Sequence, residues 1–296
     1  MSTAAEVPQG PRKVCVIGWP VEHSRSPTIH NTWLARYGVD GEYTKLAVTP
    51  EELADTIRYL PSLGFRGANV TVPHKEAAFE ALAPFVDPPA ERLQAVNTIY
   101  RDPDTGEIRG TNTDGIGFWT HLQQSVPGFS GRTAVVLGAG GAARAIVDVL
   151  ETEGRMKVRL VNRTVARAAS MVADIDAKAT VYGWDQIDHA LEGADLLVNT
   201  TTLGMAGQPD LEIDLAPLSD TAVVYDIVYV PLETRLLKAA AARGLKTVDG
   251  LGMLLWQAAP GFARWFGIEV TSEDVDAARA LIEADLAGET DTEKDS

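Results

Sequence analysis

The sequence predicts an α/β fold with mostly parallel sheets, divided into two domains near Asp114. Strand and helix patterns alternate almost throughout the chain, as they do in βαβ architectures. The alternation starts afresh in the second half, where a strand, a glycine-rich turn and a helix follow one another from Thr133. The chain has 296 residues, 45% hydrophobic and 23% charged, which is enough for two cores.

The first strand is Lys13 to Gly18, with the single cysteine, Cys15, inside it. One cysteine forms no intramolecular disulfide, and within an apolar strand it reads as a small hydrophobe. A helix is expected from Ser26-Pro27, with Ser26 as N-cap and Pro27 at the first helical position; it carries Trp33 and Leu34 and stops near Gly38. Tyr43 to Val48 forms a second strand. Thr49-Pro50-Glu51-Glu52 is a capping box for a helix bearing Leu53, Ile57 and Leu60. Phe65 to Val72 is a third strand, followed by a helix from Lys75 to Leu82.

Strands at Val96–Tyr100 and Ile108–Thr111 flank the turn signal Asp102-Pro103-Asp104-Thr105-Gly106. This hairpin breaks the alternation, so one strand of the first sheet should be antiparallel. After Asn112-Thr113-Asp114-Gly115 a helix carries Trp119 and Leu122 into a loop. The second half offers strands at Thr133–Leu137, Val158–Val161, Leu196–Asn199, Val223–Ile227 and Lys246–Val248. The helix holding Trp256, Gln257 and Phe262 contains Pro260, which should break or kink it. Ser272 to Leu286 is a terminal helix. The start, Met1 to Pro11, and the tail, Gly288 to Ser296, are expected to be disordered.

Net charge excludes several functions. At −15, with a pI near 4.7, the chain gains nothing from long-range attraction to nucleic acid or an anionic membrane. No apolar run is long enough for a bilayer, and the start lacks the core of a secretory signal, so a cytoplasmic location is expected. No His, Cys, Asp or Glu cluster has metal-ligand spacing, so no metal is expected. An anionic small molecule would have to be held by a few local arginines against the global field.

The segment Gly67-Ala68-Asn69-Val70-Thr71-Val72-Pro73-His74-Lys75 is the most informative. Its strand brings Asn69 and Thr71 to one face, and Pro73 then ends the ladder because it has no N–H to donate. Lys75 falls at the start of a helix, where the positive helix end disfavours another positive charge. Lysine shifts its pKa readily, so proton transfer is one reason to keep it there; a solvated surface lysine is the other reading.

The turn Leu137-Gly138-Ala139-Gly140-Gly141-Ala142-Ala143 fits the dinucleotide pattern G-x-G-x-x-G/A through Gly138, Gly140 and Ala143. Such a turn lets backbone approach a pyrophosphate and aims helix N–H groups at it. The next strand ends in Asn162-Arg163-Thr164-Val165-Ala166-Arg167, with no carboxylate for a ribose hydroxyl. Arg163 and Arg167 offer forked donors and Thr164 a hydroxyl, which suits a 2′-phosphate and favours NADP(H) over NAD(H). Salt-bridged arginines at a solvated helix start are the alternative. Asn199-Thr200-Thr201 ends a later strand at the ligand edge and either meets the cofactor or caps its own loop.

Taken together, His23-Ser24-Arg25-Ser26-Pro27, the Gly67–Lys75 segment, Ala95-Val96-Asn97-Thr98, Asn112-Thr113-Asp114-Gly115, the glycine turn, Asn162-Arg163-Thr164 and Asp249-Gly250-Leu251-Gly252-Met253 with Gln257 resemble the shikimate dehydrogenase family. The resemblance runs from Val16 to about Phe266. It implies a three-layer α/β substrate domain (1–113), to which the C-terminal helices (251–296) return, and a Rossmann-type NADP-binding domain (114–250) across a cleft. It implies a catalytic pair, Lys75 and Asp114, and substrate contacts from Ser24, Ser26, Thr71, Asn97, Tyr229 and Gln257. The cofactor would touch Gly138, Ala139, Gly140, Gly141, Ala142, Asn162, Arg163, Thr164, Arg167, Ile227 and Gly250.

The reaction implied is reversible reduction of 3-dehydroshikimate to shikimate by NADPH, in a monomer or homodimer. Two positions depart from the family's habit: His74 stands where an aromatic residue is common, and Ile227 where methionine is frequent. An NAD-preferring quinate/shikimate dehydrogenase, a dehydrogenase of an aminated shikimate analogue and a non-catalytic NADP(H) sensor of the same fold are the competing readings.

Overall fold

The structure is a computed structural model and describes residues 12–294. The expectation for Met1–Pro11 lies outside them, as do the last two residues of the tail. Two sheets organise the chain. The first contains β1 (Arg12–Gly18), β2 (Gly41–Ala47), β3 (Phe65–Val70), β4 (Thr98–Arg101) and β5 (Ile108–Thr111), in the order β2-β1-β3-β4-β5. β4 runs antiparallel to both its neighbours, and the other pairings are parallel. The hairpin signal at Asp102–Gly106 thus reverses one strand.

Three layers result. One face of the sheet packs on α1 (Ser26–Arg36), α10 (Leu251–Phe266) and α11 (Ser272–Lys294), through Val14, Val16, Trp33, Phe262, Trp265 and Ile282. The other face packs on α2 (Leu53–Tyr59), α3 (Lys75–Leu82) and α4 (Pro88–Leu93), through Cys15, Ile17, Val70, Ala78 and Ile99. Two indole donors fasten the last helices: Trp265 Nε1 donates to Ile99 O (2.8 Å) and Trp33 Nε1 to Asp274 O (2.9 Å). Although burial favours its neutral form, Asp274 is held well below the usual carboxylate range by hydrogen bonds from Thr271, Tyr37 and Arg36.

The second sheet holds β6 (Thr133–Leu137), β7 (Lys157–Val161), β8 (Thr180–Tyr182), β9 (Leu196–Asn199), β10 (Val223–Asp226) and β11 (Lys246–Val248). Its order, β11-β10-β9-β6-β7-β8, is all parallel and doubly wound, with the strand order reversing between β6 and β9. The helices α6 (Gly141–Thr152), α7 (Val165–Asp174), α8 (Ile187–Leu191) and α9 (Arg235–Ala242) complete it. Between the sheets, α5 (Asp114–Ser125) packs against both α6 and α10.

Several elements differ from expectation. Ser26 is not the N-cap of α1: Arg25 holds that position, and Ser24 Oγ accepts from the Ser26 N–H (3.3 Å) while Ser26 itself is buried. β3 stops at Val70, although Thr71 still donates to Ile17 O (2.9 Å). β4 starts at Thr98 because Val96 N–H turns to Lys75 O (2.8 Å) and Asn97 N–H to Thr111 O (3.1 Å). Pro260 does not break α10; it removes one intrahelical bond, and packing against α5, β4 and α1 outweighs that loss. The backbone of α11 is helical to Lys294, past Leu286 and through the tail expected to be disordered from Gly288, because extending an established helix fixes one residue at a time and needs no new nucleus. α4, β8 and α8 were not legible as separate elements.

Candidate active site

Lys75 is the first residue of α3 and Asp114 the first of α5, and the fold brings them together across the edge of the first sheet. Lys75 Nζ donates to Asp114 Oδ2 at 2.5 Å. The lysine side chain is 17% exposed and the aspartate 5%, so solvent reaches the amine and hardly the carboxylate. Asp114 sits favourably at a helix N-terminus, whereas Lys75 sits unfavourably at one, and the short contact compensates the amine.

Two polar residues fix Asp114. Asn97 Nδ2 donates to Asp114 Oδ1 (2.8 Å), and Asn112 Oδ1 accepts from the Asp114 N–H (3.0 Å). Asn97 is held in turn by Thr113, whose N–H donates to Asn97 Oδ1 (2.9 Å), and by Thr98 Oγ1, which donates to the same oxygen (2.9 Å). These donors set the amide so that its NH₂ faces the carboxylate. Gln257, from α10, brings Oε1 to 3.3 Å from Asn97 Nδ2. Lys75, Asp114, Asn97 and Gln257 therefore form one hydrogen-bonded cluster.

The cluster extends into the sheet through residues that the motifs did not single out as a chain. Asn69 Nδ2 donates to Thr98 Oγ1 and Asn97 O (both 3.2 Å), and Asn69 Oδ1 accepts from the buried Tyr43 hydroxyl (2.6 Å). The signal for Asn69 was its strand alternation with Thr71. Nothing local to Tyr43 marks its role.

The other predicted substrate residues are placed by different elements and do not bond directly to Lys75, Asp114, Asn97 or Gln257. Ser24 and Ser26 flank the start of α1, and Ser26 is buried. Thr71 follows β3, with its methyl against Gly18: a Cβ on that glycine would lie 2.5 Å from Thr71 Cγ2. Tyr229 comes from the loop after β10 and packs on the core shared by α1 and α10. Burial raises the pKa of its phenol, and the charge of Arg25 opposes the rise. His74, between the Gly67 strand and Lys75, is buried with Nε2 2.7 Å from Val48 O, a packing role.

The glycine turn closes on the other side of Lys75. Gly138 has φ +102, and a Cβ there would meet Thr200 Oγ1 at 2.9 Å, so only glycine fits. Around Gly140 a Cβ would meet nothing within 4 Å, and at Gly141 only Lys75 Cδ, at 3.6 Å. The turn thus leaves an open backbone cradle at the start of α6, flanked by Ala139 and Ala142 and bordering the lysine. This open space fits a pyrophosphate.

Past β7, Asn162 Nδ2 donates to Thr164 O (2.8 Å) and shapes the loop. Arg163 and Thr164 are exposed. Arg167 reaches back to donate from Nε to Ala139 O (3.0 Å), tying that loop to the glycine turn. At the ends of β10 and β11, Gly250 presses on Ile227: a Cβ would lie 2.1 Å from Ile227 O. These two residues therefore share one corner of the second sheet's carboxyl edge. Asn199-Thr200-Thr201 caps its own loop, with Thr200 Oγ1 donating to Leu137 O (2.6 Å) and Thr201 Oγ1 to Asn199 Oδ1 (2.7 Å). No group of His, Cys, Asp and Glu among the described residues is arranged to hold a metal ion, and no described helix is long and apolar enough to cross a membrane.

A doubly wound dinucleotide domain, an amine–carboxylate pair at its glycine turn and a three-layer partner domain define a nicotinamide-dependent dehydrogenase. Two sequence families match the chain: the "Shikimate dehydrogenase substrate binding domain" over residues 16–99 and "Shikimate / quinate 5-dehydrogenase" over residues 120–206. The chain belongs to the shikimate dehydrogenase family. It is 54% identical over 279 residues to the shikimate dehydrogenase (NADP(+)) of Methylobacterium radiotolerans, covering 92% of this chain and 97% of that one. Among solved structures it is similar to shikimate 5-dehydrogenase from Thermus thermophilus in complex with NADP(H) and shikimate (TM-score 0.80, 35% identity, 91% of this chain and 99% of that one). It is also similar to quinate dehydrogenase from Corynebacterium glutamicum in complex with NAD (TM-score 0.85, 30% identity, 93% and 100%).

Proposed function

We propose that this protein catalyses the reversible NADPH-dependent reduction of 3-dehydroshikimate to shikimate, a step in making aromatic amino acids. The observation that carries the reading is the 2.5 Å Lys75–Asp114 contact beside the open backbone of Gly140 and Gly141. Relatives 50–54% identical over most of their length carry the same activity in their names.

The hydride would come from NADPH when it is bound. This chain's residues do the rest. As hydride reaches the carbonyl carbon, negative charge grows on the oxygen, and the Lys75 ammonium stabilises it and donates a proton. Asp114 holds the ammonium in place, and Asn97 holds Asp114. In the oxidative direction the pair takes the hydroxyl proton back. Ser24, Ser26, Thr71 and Tyr229 hold the far side of the substrate, with Asn97 and Gln257 against its ring hydroxyls. Gly138–Ala142 would hold the pyrophosphate, Asn162–Arg167 the adenosine 2′-phosphate, and Ile227 and Gly250 the nicotinamide end.

The absence of a carboxylate at the end of β7, with Arg163 exposed there, favours NADP(H) over NAD(H). Initial rates with shikimate and quinate, each with NADP⁺ and NAD⁺, test the reading. Shikimate with NADP⁺ should give the highest kcat/KM. A higher value for quinate with NAD⁺ would replace this reading with the quinate one, and no turnover of any pair would leave a cofactor-binding sensor.

A further inference from the structure

Two residues given no contact with substrate or cofactor in the reaction described above meet Gln257. Gly117 lies in the first turn of α5, and a Cβ there would fall 2.6 Å from both Cβ and N of Gln257 and 2.7 Å from its Cα. Backbone meets backbone at that point, because distances under 3 Å leave no room for any side chain. One turn earlier, Thr113 Oγ1 donates to Gln257 O at 2.7 Å. That carbonyl lies inside α10, where helices supply their own donor, so the hydroxyl is an added tie and not a needed cap. The bond is buried, with Thr113 3% exposed and Gln257 9%.

The Gln257 carboxamide is pinned at both ends. Nε2 donates to Leu254 O (3.0 Å), and Oε1 faces Asn97 Nδ2. Its place beside Asn97 therefore depends on how closely α10 approaches α5. Gly117 permits that approach and Thr113 holds it. We propose that Thr113 and Gly117 are positioning residues for Gln257, fixing the distance at which its carboxamide meets the substrate's ring hydroxyls. The inference rests on the reading of Gln257 as a substrate-binding residue.

Thr113→Val keeps size and removes the tie; it also removes the bond that Thr113 Oγ1 accepts from Asn97 Nδ2 (3.0 Å), but the Thr113 N–H and Thr98 Oγ1 still donate to Asn97 Oδ1 and Asp114 Oδ1 still accepts from Asn97 Nδ2, so Asn97 keeps its orientation. Losing the bond to Gln257 O predicts an increase of about 3–10-fold in KM for shikimate. NADPH affinity, read by fluorescence titration, should not change. Thr113→Ser should behave like wild type. In a Gln257→Ala background, Thr113→Val should add less than about twofold, because a residue that acts through another loses its effect when that other is gone. Gly117→Ala should raise the shikimate KM in the same selective way. An equal Thr113→Val penalty with and without Gln257, or a parallel rise in NADPH Kd, overturns the proposal. So does a wild-type shikimate KM in Gly117→Ala, which also decides the matter should Thr113→Val fail to fold. If Gln257→Ala leaves the KM unchanged in an active enzyme, the assignment of Gln257 falls too; if it raises the KM and Thr113→Val does not, only the positioning role falls.

Discussion

Replacing Lys75 by methionine separates chemistry from structure at the proposed centre. The amine is one half of an ion pair whose carboxylate is 5% exposed. Its loss removes the proton donor, which costs ~10²–10⁴ in kcat. It also leaves Asp114 charged and nearly buried, with Asn97 as the side chain that holds its carboxylate and Asn112 holding its backbone N–H. Breaking one side of a buried pair costs ~3–5 kcal/mol. Lys75 keeps some contact with solvent, so the lower end of that range applies, about 3 kcal/mol. For a chain this long that is a fall in Tm of roughly 6–12 °C. Lys75→Met/Asp114→Asn should regain most of the lost stability, because the amide needs no counter-charge, and none of the activity. Scanning calorimetry and stopped-flow hydride transfer measure the two separately. Near-normal turnover in Lys75→Met would remove the lysine from the mechanism. A double variant as unstable as the single one would show that the stability loss does not come from the stranded carboxylate.

Three more outcomes follow from the same geometry. Arg163→Ala should lower the preference for NADPH over NADH by about 10–150-fold, the worth of a charge-assisted hydrogen bond, and an unchanged ratio would place the phosphate elsewhere. Gly138→Ala forces a side chain into φ +102 and to 2.9 Å from Thr200 Oγ1, so stability should fall by at least ~1–3 kcal/mol; urea midpoints check this. His30 is fully buried between aromatic rings with neither nitrogen bonded, and burial lowers its pKa to about 3, opposed only by the Asn69 amide. Its folded pKa lies below the ordinary 6.5, so its contribution is full above pH 6.5 and is lost as pH falls toward 3, by ~1.4 kcal/mol per pH unit. His30→Phe should therefore lose less stability than wild type between pH 6.5 and 5 in urea titrations, and equal losses would refute the assignment.

Local chemistry made much of this protein readable in its sequence. Alternating strand and helix patterns gave the α/β class, and glycine spacing gave the turn, because φ +102 at Gly138 and the open backbone at Gly140 are conditions that single residues meet. The absence of an acid after β7 was likewise legible. At Pro260 the local penalty was legible, but not the packing that keeps α10 from breaking there. The start of α1 misled for a related reason: Ser26 has the chemistry of a cap, but its side chain is buried. Only the tertiary structure could show that Lys75 and Asp114 touch, since they come from two helices 39 residues apart in the chain. The same holds for Tyr43, Asn69 and Thr98 behind Asn97, and for the bare contact of Gly117 with Gln257. Sequence fixes what a residue is able to do, through its donors, its charge and its allowed backbone angles. Which groups meet depends on how whole elements pack, and no local pattern carries that distance.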